Sequence, residues 1–412
     1  MDYDSTRKGP LDGIRIVDLT RLIAGNVLSQ QLADFGADVI KVERPHHGDE
    51  SRTFPPYLKD SSGAETDDSA YFMSINRGKR SVTIDISTPR GQELVKALAA
   101  LSDVLIENYK VGDLKRYGLD YESLRKINPR LVYCSITGFG QTGPYKNRPG
   151  YDYIFQAMSG LMSITGGPDE LPGGGPAKVG LAICDVITGM YSSFAVMTAL
   201  AHRDRSGEGQ HIDMSLLDTT IATISHINMN YLIGGIVPKR MGTGHPSIVP
   251  YQMFKAQDGP MVVAVGNDGQ FAKLCAILGL AELARDARFR TNPLRVQHRD
   301  ALVPQLEAAF AQKTVDAWIE SLTPQGVPCG PLNDIPQVFA DPHVKARGVH
   351  VQIPHPRAGA VSALANPAKL SATPPSYDRP APRLGEHTRE VLSSVLGLSN
   401  VEIDELAAAA VI

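Results

Sequence analysis

Net charge is almost absent from this sequence of 412 residues: 41 Lys and Arg stand against 44 Asp and Glu, a balance of −3. Such a chain has no global field to draw in nucleic acid or an anionic bilayer, so neither is expected as a partner. Cysteine is scarce too. Cys134, Cys184, Cys275 and Cys329 lie far apart without CxxC spacing, which argues against a zinc site or a secreted disulfide framework and for a reducing compartment. The opening MDYDSTRKGP lacks the apolar core of a signal peptide and the Arg/Ser-rich pattern of a transit sequence, so a cytoplasmic location is expected. The longest uncharged runs, 186–201 and 219–238, are broken by Thr, Ser, Asn, Gly and His, and buried helices are expected there, not bilayer spans. GxGxxG, GxSxG and the P-loop pattern are all missing, which removes most support for hydride transfer, serine hydrolysis and nucleotide hydrolysis.

What is present reads as an ordinary globular chain, 42% hydrophobic and 21% charged, long enough for roughly two to three domains. GIRIVDLT from residue 13, a helical apolar spacing over 26–36 and DVIKVERP form a strand, helix and strand in about thirty residues. The pattern recurs as SVTIDI, a helix opened by Thr88-Pro89, and DVLIEN, with Leu94, Val95, Leu98 and Leu101 on the buried helix face. A helix over 121–127 then leads into RLVYCSITG, another interior strand. A long helix follows Asp185, and GQHIDMSLLD adds a short strand and a second long helix in which His226 reads as a core residue. Asp258-Gly259-Pro260 predicts a tight turn between strands over 251–257 and 261–265. Helices follow over 268–278, 301–312 and 315–322, the last capped by Thr314, with Trp318 packed inside. Seven prolines between Pro354 and Pro382 suggest an extended surface strap. The expected fold is α/β: a large Rossmann-like parallel-sheet domain over 10–215, a helical linker over 216–240 and a small α+β domain over 241–330.

Several residues at the carboxyl ends of the expected parallel strands, where open α/β sheets bind ligands, could hold a phosphorylated ribose such as that of NADP or coenzyme A. Arg44 ends the second strand, and either a ribose phosphate or a surface ion pair with Glu43 or Glu50 would satisfy it. NRGKRS at 76–81 concentrates three cations immediately before a strand, where a solvated loop or a phosphate clamp would use them, and Asn108, Tyr109 and Arg116 offer an amide, an aromatic plane and a guanidinium at or after the end of the next strand. Asp185 lies among apolar and small residues, where an unpaired charge is costly. It suits an N-cap of the following helix, or a nucleophile held ionised by the helix dipole, and the two roles are compatible. His46-His47 lacks metal-ligand spacing, and no metal is expected.

PLDGIRIVDLTRLIAG, GADVIKVERP, NRGKRSVTIDI, DVLIENYKVGDLKRYGLDYESL, CSITGFGQTGPY, GLAICDVITGM, SGEGQHIDMSLLD, HPSIVPYQMFKAQDG and GVPCGPLNDI recur in this order. Together they resemble the class III CoA-transferases, the family of the carnitine and bile-acid CoA-transferases. The resemblance implies Asp185 as an aspartate nucleophile that takes an acyl group from a thioester as a mixed anhydride and then becomes an aspartyl-CoA thioester. It implies CoA contacts from Ile23, Ala24, Arg44, Ile84, Asp85, Ile86, Asn108, Tyr109 and Arg116, with Tyr151 near the acyl pocket. It further implies an interlocked ring-like homodimer, and a return linker and closing part of the large domain over 331–412. CoA and its acyl thioesters are then substrates, together with a small carboxylic acid, and no permanently bound cofactor is expected.

Within the family, SHINMNYLIGG, GTGHPSIVPYQMF and VGNDGQF are most similar to the succinyl-CoA:glutarate type, which implies a dicarboxylate pocket with Arg240, His245 and Ser247 as candidate contacts for the remote carboxylate. Domain-linker contacts are the competing reading for those three. The family's acyl-CoA racemases carry histidine after glycine where this chain has Gly150-Tyr151-Asp152, and a phenol is a poor base at neutral pH, so transfer is preferred to racemisation. RMGTGHPSIVPYQ stands where the formyl-CoA:oxalate enzymes have four glycines. A noncatalytic acyl-CoA-binding protein on the same scaffold is the alternative outside enzymes, and turnover discriminates it.

Overall fold

The structure is a computed structural model and describes residues 9–412. The chain forms two compact units. The first runs to Leu161, resumes over Val179–Gly234 and closes with Arg347–Ile412; the second comprises Met162–Lys178 and Gly235–Ala346. The boundaries thus differ from a linker at 216–240 and a small domain ending at 330: helices over 216–232 belong to the first unit, and 331–346 to the second.

Six strands form the parallel sheet of the first unit: β1 Arg15–Asp18, β2 Asp38–Glu43, β3 Arg80–Thr83, β4 Val104–Glu107, β5 Val132–Thr137 and β6 His211–Ser215. Their spatial order is β6-β5-β4-β1-β2-β3, all parallel, so the order reverses between β1 and β4. Alternate residues face opposite sides. Val17, Ile40 and Leu105 enter one core with Leu94 and Leu98, whereas Ile16, Val39 and Val104 enter another with Leu28, Leu32, Val196 and Leu200. Covering both faces explains why these strands read as continuous apolar runs. Val391, Leu392, Ile403 and Leu406, from helices Thr388–Ser394 and Asn400–Ala408, complete the first core.

The second unit carries an antiparallel sheet of Tyr251–Lys255, Pro260–Ala264 and Cys329–Pro331. Its core holds Phe254, Phe271, Phe310 and Trp318. The indole donates to the Phe310 carbonyl at 2.8 Å, and Thr314 caps Val315–Leu322 through the Ala317 N–H.

Three local expectations are corrected. The helix after β6 is broken: Ser225, at φ +46, separates Leu216–Ile224 from His226–Leu232, and His226 is exposed, not a core residue. The proline-rich strap begins as a hairpin, His350–His355 paired with Gly359–Leu364, with Pro354 in its first strand and Pro356 in the connecting turn, and a two-stranded ribbon tolerates a proline because each strand has an edge that needs no ladder donor. Leu101, expected on the buried face of its helix, is the exposed C-cap of Pro89–Ala100. A hairpin for which the polar sequence carried no strand signal also forms, Tyr57–Lys59 with Glu65–Ser69. Among the described residues one helix, Ile183–Ser206, has the length and hydropathy to cross a bilayer. Here Val196, Ala199 and Leu200 are buried in the core, and Arg203 pairs with Asp103 at 2.7 Å.

Candidate active site

A cavity of about 540 Å³ opens at the carboxyl ends of β1, β2, β3 and β4, beside the reversal in strand order where such sheets take ligands. Its walls are the loops after those strands: Leu19–Arg21, Glu43–Glu50, Ile84–Ser87 and Tyr109 with Arg116. Arg44, Ile84, Asp85, Ile86, Tyr109 and Arg116 therefore line one cavity. The surface ion pair considered for Arg44 does not form. Glu43 accepts from Arg52 at 2.7 Å and Glu50 from Arg21 at 2.5 Å, leaving the exposed Arg44 guanidinium without a carboxylate among the described residues.

Asn108 is not among the cavity-lining residues. It donates to the Arg21 carbonyl at 2.8 Å and accepts the Arg21 N–H at 3.0 Å, so it fixes the neighbouring wall. Arg21 in turn lies 5.5 Å from the Tyr109 ring centroid. Ile23 and Ala24 begin the helix Ala24–Asp34, whose N-cap makes no side-chain hydrogen bond.

Asp185 sits in the first turn of Ile183–Ser206, three residues beyond the N-cap position, Ala182. It is not the cap. Asp152, from a different segment, accepts the Cys184 N–H at 2.7 Å, and Gln156 binds both sides of this entry by accepting the Val179 N–H at 2.8 Å and donating to the Leu181 carbonyl at 3.2 Å. Gln156 also donates to Asp152 at 2.6 Å. The Asp185 carboxylate has no hydrogen-bond or cationic partner among the described residues. Burial, and then the neighbouring Asp152 charge, push its pKa up to about 7, against the expectation that the helix dipole keeps it low. Burial and then the Asp185 charge also raise the Tyr71 phenol, which places that ring within electrostatic reach of the carboxylate.

The helix carrying Asp185 presses on the helix that starts beside the cavity. A Cβ on Gly189 would stand 2.6 Å from the Ala24 carbonyl oxygen and 2.8 Å from the Val27 Cβ, so glycine is what lets the two helices approach. Tyr151, at the start of Asp152–Met158, is 74% exposed and does not line the cavity. Arg240, His245 and Ser247 belong to the second unit. Within it Arg240 pairs with Asp169 and donates to the Ser163 carbonyl at 3.0 Å, and His245 Nδ1 accepts the Ser247 N–H at 3.1 Å. Among the described residues no group of three or more His, Cys, Asp or Glu side chains is placed to hold a metal.

Sequence reasoning missed Tyr71, Asp49 and the capping role of Asp152. Asp49-Glu50-Ser51 does carry a signal, an Asp two residues before Ser, and the structure realises it as a cap on the Ser51 N–H at 2.9 Å. Tyr71 carries none.

The model of the family described as CoA-transferase family III matches residues 11–388. A succinate–glutarate CoA-transferase of Agrobacterium fabrum is 48% identical over 94% of this chain and 96% of its own length. The human succinyl-CoA:glutarate CoA-transferase is 44% identical over 98% of this chain and 90% of its own. The crystal structure of a CAIB/BAIF family protein from Brucella suis, 48% identical, superposes with a TM-score of 0.82 over 94% of this chain and 100% of that one.

Proposed function

Starting from a chain that belongs to CoA-transferase family III and is a CoA-transferase, we propose that it moves CoA from a donor such as succinyl-CoA to a short dicarboxylic acid, with Asp185 as the nucleophile. The observation that carries this reading is the Asp185 carboxylate itself: unpaired among the described residues, partly desolvated and set on a helix turn held by Asp152 and Gln156. A carboxylate without donors keeps its electron pairs available for attack, and a pKa of about 7 leaves about half of it ionised at neutral pH and most of it above. The strand order and the cavity at the strand ends support the Rossmann-like reading of the CoA-binding half.

An Asp185 oxygen attacks the thioester carbonyl, the C–S bond breaks, and CoA leaves as thiolate with a mixed anhydride formed. The thiolate attacks the aspartyl carbonyl, giving the aspartyl-CoA thioester and releasing the donor carboxylate. The acceptor carboxylate then attacks that thioester, and returning thiolate attacks the acceptor's carbonyl in the new anhydride. Acyl-CoA forms and Asp185 is restored as carboxylate. Each step exchanges one acyl bond for another, so no proton donor, metal or oxidant is needed.

Free Arg44 suits the ribose phosphate of CoA, with Ile84, Asp85 and Ile86 as backbone walls, Tyr109 and Arg116 beside the adenine, and Ile23 and Ala24 offering main-chain groups at the helix start. Tyr151 stays assigned to the acyl pocket. Arg240 would meet a remote substrate carboxylate by exchanging Asp169 for it, with His245 and Ser247 beside it. The expected homodimer is supported by exposed apolar residues of the first unit: Phe194 is 72% accessible, Leu232 71% and Ile233 80%.

Brief incubation with succinyl-CoA, quenching, and hydroxylamine or borohydride trapping tests the intermediate by mass spectrometry. The expected adduct maps to Asp185, and glutarate or a related diacid discharges it with formation of a new acyl-CoA. Asp185→Ala that still transfers CoA overturns the nucleophile assignment, and α-deuterium exchange without an acceptor points to racemisation instead.

A further inference from the structure

Beneath the cavity lies a charged cluster that the transfer chemistry does not use. Asp18, Asn26, Lys41 and Lys79 are fully buried and Asp49 is 1% exposed. Lys41 Nζ donates to Asp49 at 3.0 Å, to the Asn26 side-chain oxygen at 2.9 Å and to the Thr20 carbonyl at 2.8 Å. Lys79 Nζ donates to Asn76 at 2.8 Å, to Asn26 at 3.0 Å and to Asp18 at 3.3 Å. The Lys41 ammonium thus meets the Asp49 carboxylate, and the Lys79 amine meets Asp18, in the core. One such charge left unpaired there is strongly destabilising, so the cluster holds together or fails together.

What it holds is a turn. Leu22 adopts φ +64, a left-handed backbone that an L side chain disfavours. The Asp49 carboxylate accepts the Leu22 N–H at 3.1 Å, and Asn26, itself donating to Asp49 at 2.7 Å, donates to the Leu22 carbonyl at 2.5 Å. Both polar groups of the strained residue are thus tied to one carboxylate. On one side of Leu22 are Leu19, Thr20 and Arg21, which line the cavity, and on the other is the helix that starts at Ala24. Asp49 also lines the cavity from the loop after β2, and its N–H donates to Glu43 at 3.0 Å.

We infer that Asp49 is a positioning residue for acyl-CoA: anchored by Lys41, its carboxylate clamps the left-handed turn at Leu22 and so joins the walls after β1 and β2 into one rigid rim. The inference rests on the CoA-transferase reading only for the identity of the ligand. Without the clamp Leu22 relaxes toward ordinary backbone, and part of the binding energy must go to reordering the rim. The strain of one left-handed residue converts to roughly tenfold in affinity.

The test is calorimetric titration with coenzyme A, paired with steady-state kinetics on succinyl-CoA. Asp49→Asn puts an amide N–H₂ against the donors of Lys41 and Asn26 and opens the clamp. We expect CoA affinity to fall about tenfold, KM to rise more than kcat falls, and Leu22→Gly in the same chain to restore most of the loss, because glycine adopts positive φ without strain. Affinity unchanged in Asp49→Asn, or a loss that Leu22→Gly does not restore, overturns the inference. Should Asp49→Asn fail to fold, Leu22→Val decides: a β-branched residue at that φ weakens CoA binding if the turn matters, and wild-type affinity refutes it. Wild-type protein that binds CoA yet transfers nothing sinks the proposed function and leaves the clamp standing. Wild-type protein that binds no CoA sinks both.

Discussion

Replacing Asp185 by asparagine is expected to abolish transfer and to make the ligand-free protein more stable at high pH. Its carboxyl, pushed up to about 7 by burial first and Asp152 second, starts from an ordinary value of 3.8. A group raised in the folded state contributes stability that is fully present below the unfolded pKa and is lost as pH climbs through the folded one. The window is therefore pH 4 to 7. The full difference amounts to about 4 kcal/mol at pH 8 and under about 2 kcal/mol at pH 5, as upper bounds. Because the side chain is only partly buried, a realistic figure for the change between those two pH values is about 1–2 kcal/mol. Glu107, which burial likewise raises to about 7, and Lys79, which burial lowers to about 7, change the pH trend of both proteins equally and cancel in the comparison. Urea unfolding of wild type and Asp185→Asn at pH 5 and pH 8 reads this directly. The stability gap between them must widen toward pH 8; a gap that is constant, or that narrows, refutes a desolvated, unpaired Asp185.

Asp152→Asn removes the smaller of the two causes raising Asp185, so the acid limb of kcat/KM should move to lower pH by less than about 1.6 units, and an upward move would contradict the assigned electrostatics. Arg44→Ala should weaken CoA binding about 10–100-fold by loss of a charge-assisted phosphate contact, yet leave dephospho-CoA binding nearly unchanged. Equal losses for both ligands would place Arg44 elsewhere. Gly189→Ala forces a Cβ within 2.6 Å of the Ala24 carbonyl oxygen and should cost about 1–3 kcal/mol in urea unfolding, along with CoA affinity. A neutral substitution would mean the two helices are not in close contact.

Much of the fold was legible because its signals are local. The runs IRIVD, DVIKVE, DVLIE and LVYCSIT are apolar on both faces, which only a covered parallel strand explains, and all four are strands of the sheet. Thr88-Pro89 and Thr314 mark helix starts for reasons confined to a single turn. The site was legible differently. Arg44, Ile84–Ile86, Tyr109 and Arg116 follow strand ends, and strand ends converge in any open α/β sheet.

The misreadings share one cause. Asp185 precedes an apolar helix and so has the local form of a cap, yet the side chain that takes an N–H of that turn is Asp152, 32 positions away from the Cys184 it contacts. Lys41 stands inside a strand, and nothing near it in sequence shows that Asp49, Asn26 and the Thr20 carbonyl surround its ammonium. Ser225 breaks a helix whose composition favours continuation.

By itself, then, the sequence determined the strand and helix segments, the α/β class, the absence of the usual nucleotide-binding loops and, through its ordered motifs, membership in the transferase family. Only the tertiary structure decided that, among the described residues, Arg44 is unpaired and Asp185 is partly desolvated without a partner, and that Asp49 grips the turn at Leu22. The reason is range. Periodicity and caps act within a turn or two of helix, whereas desolvation and ion pairing depend on which distant segments fill the space around a charge.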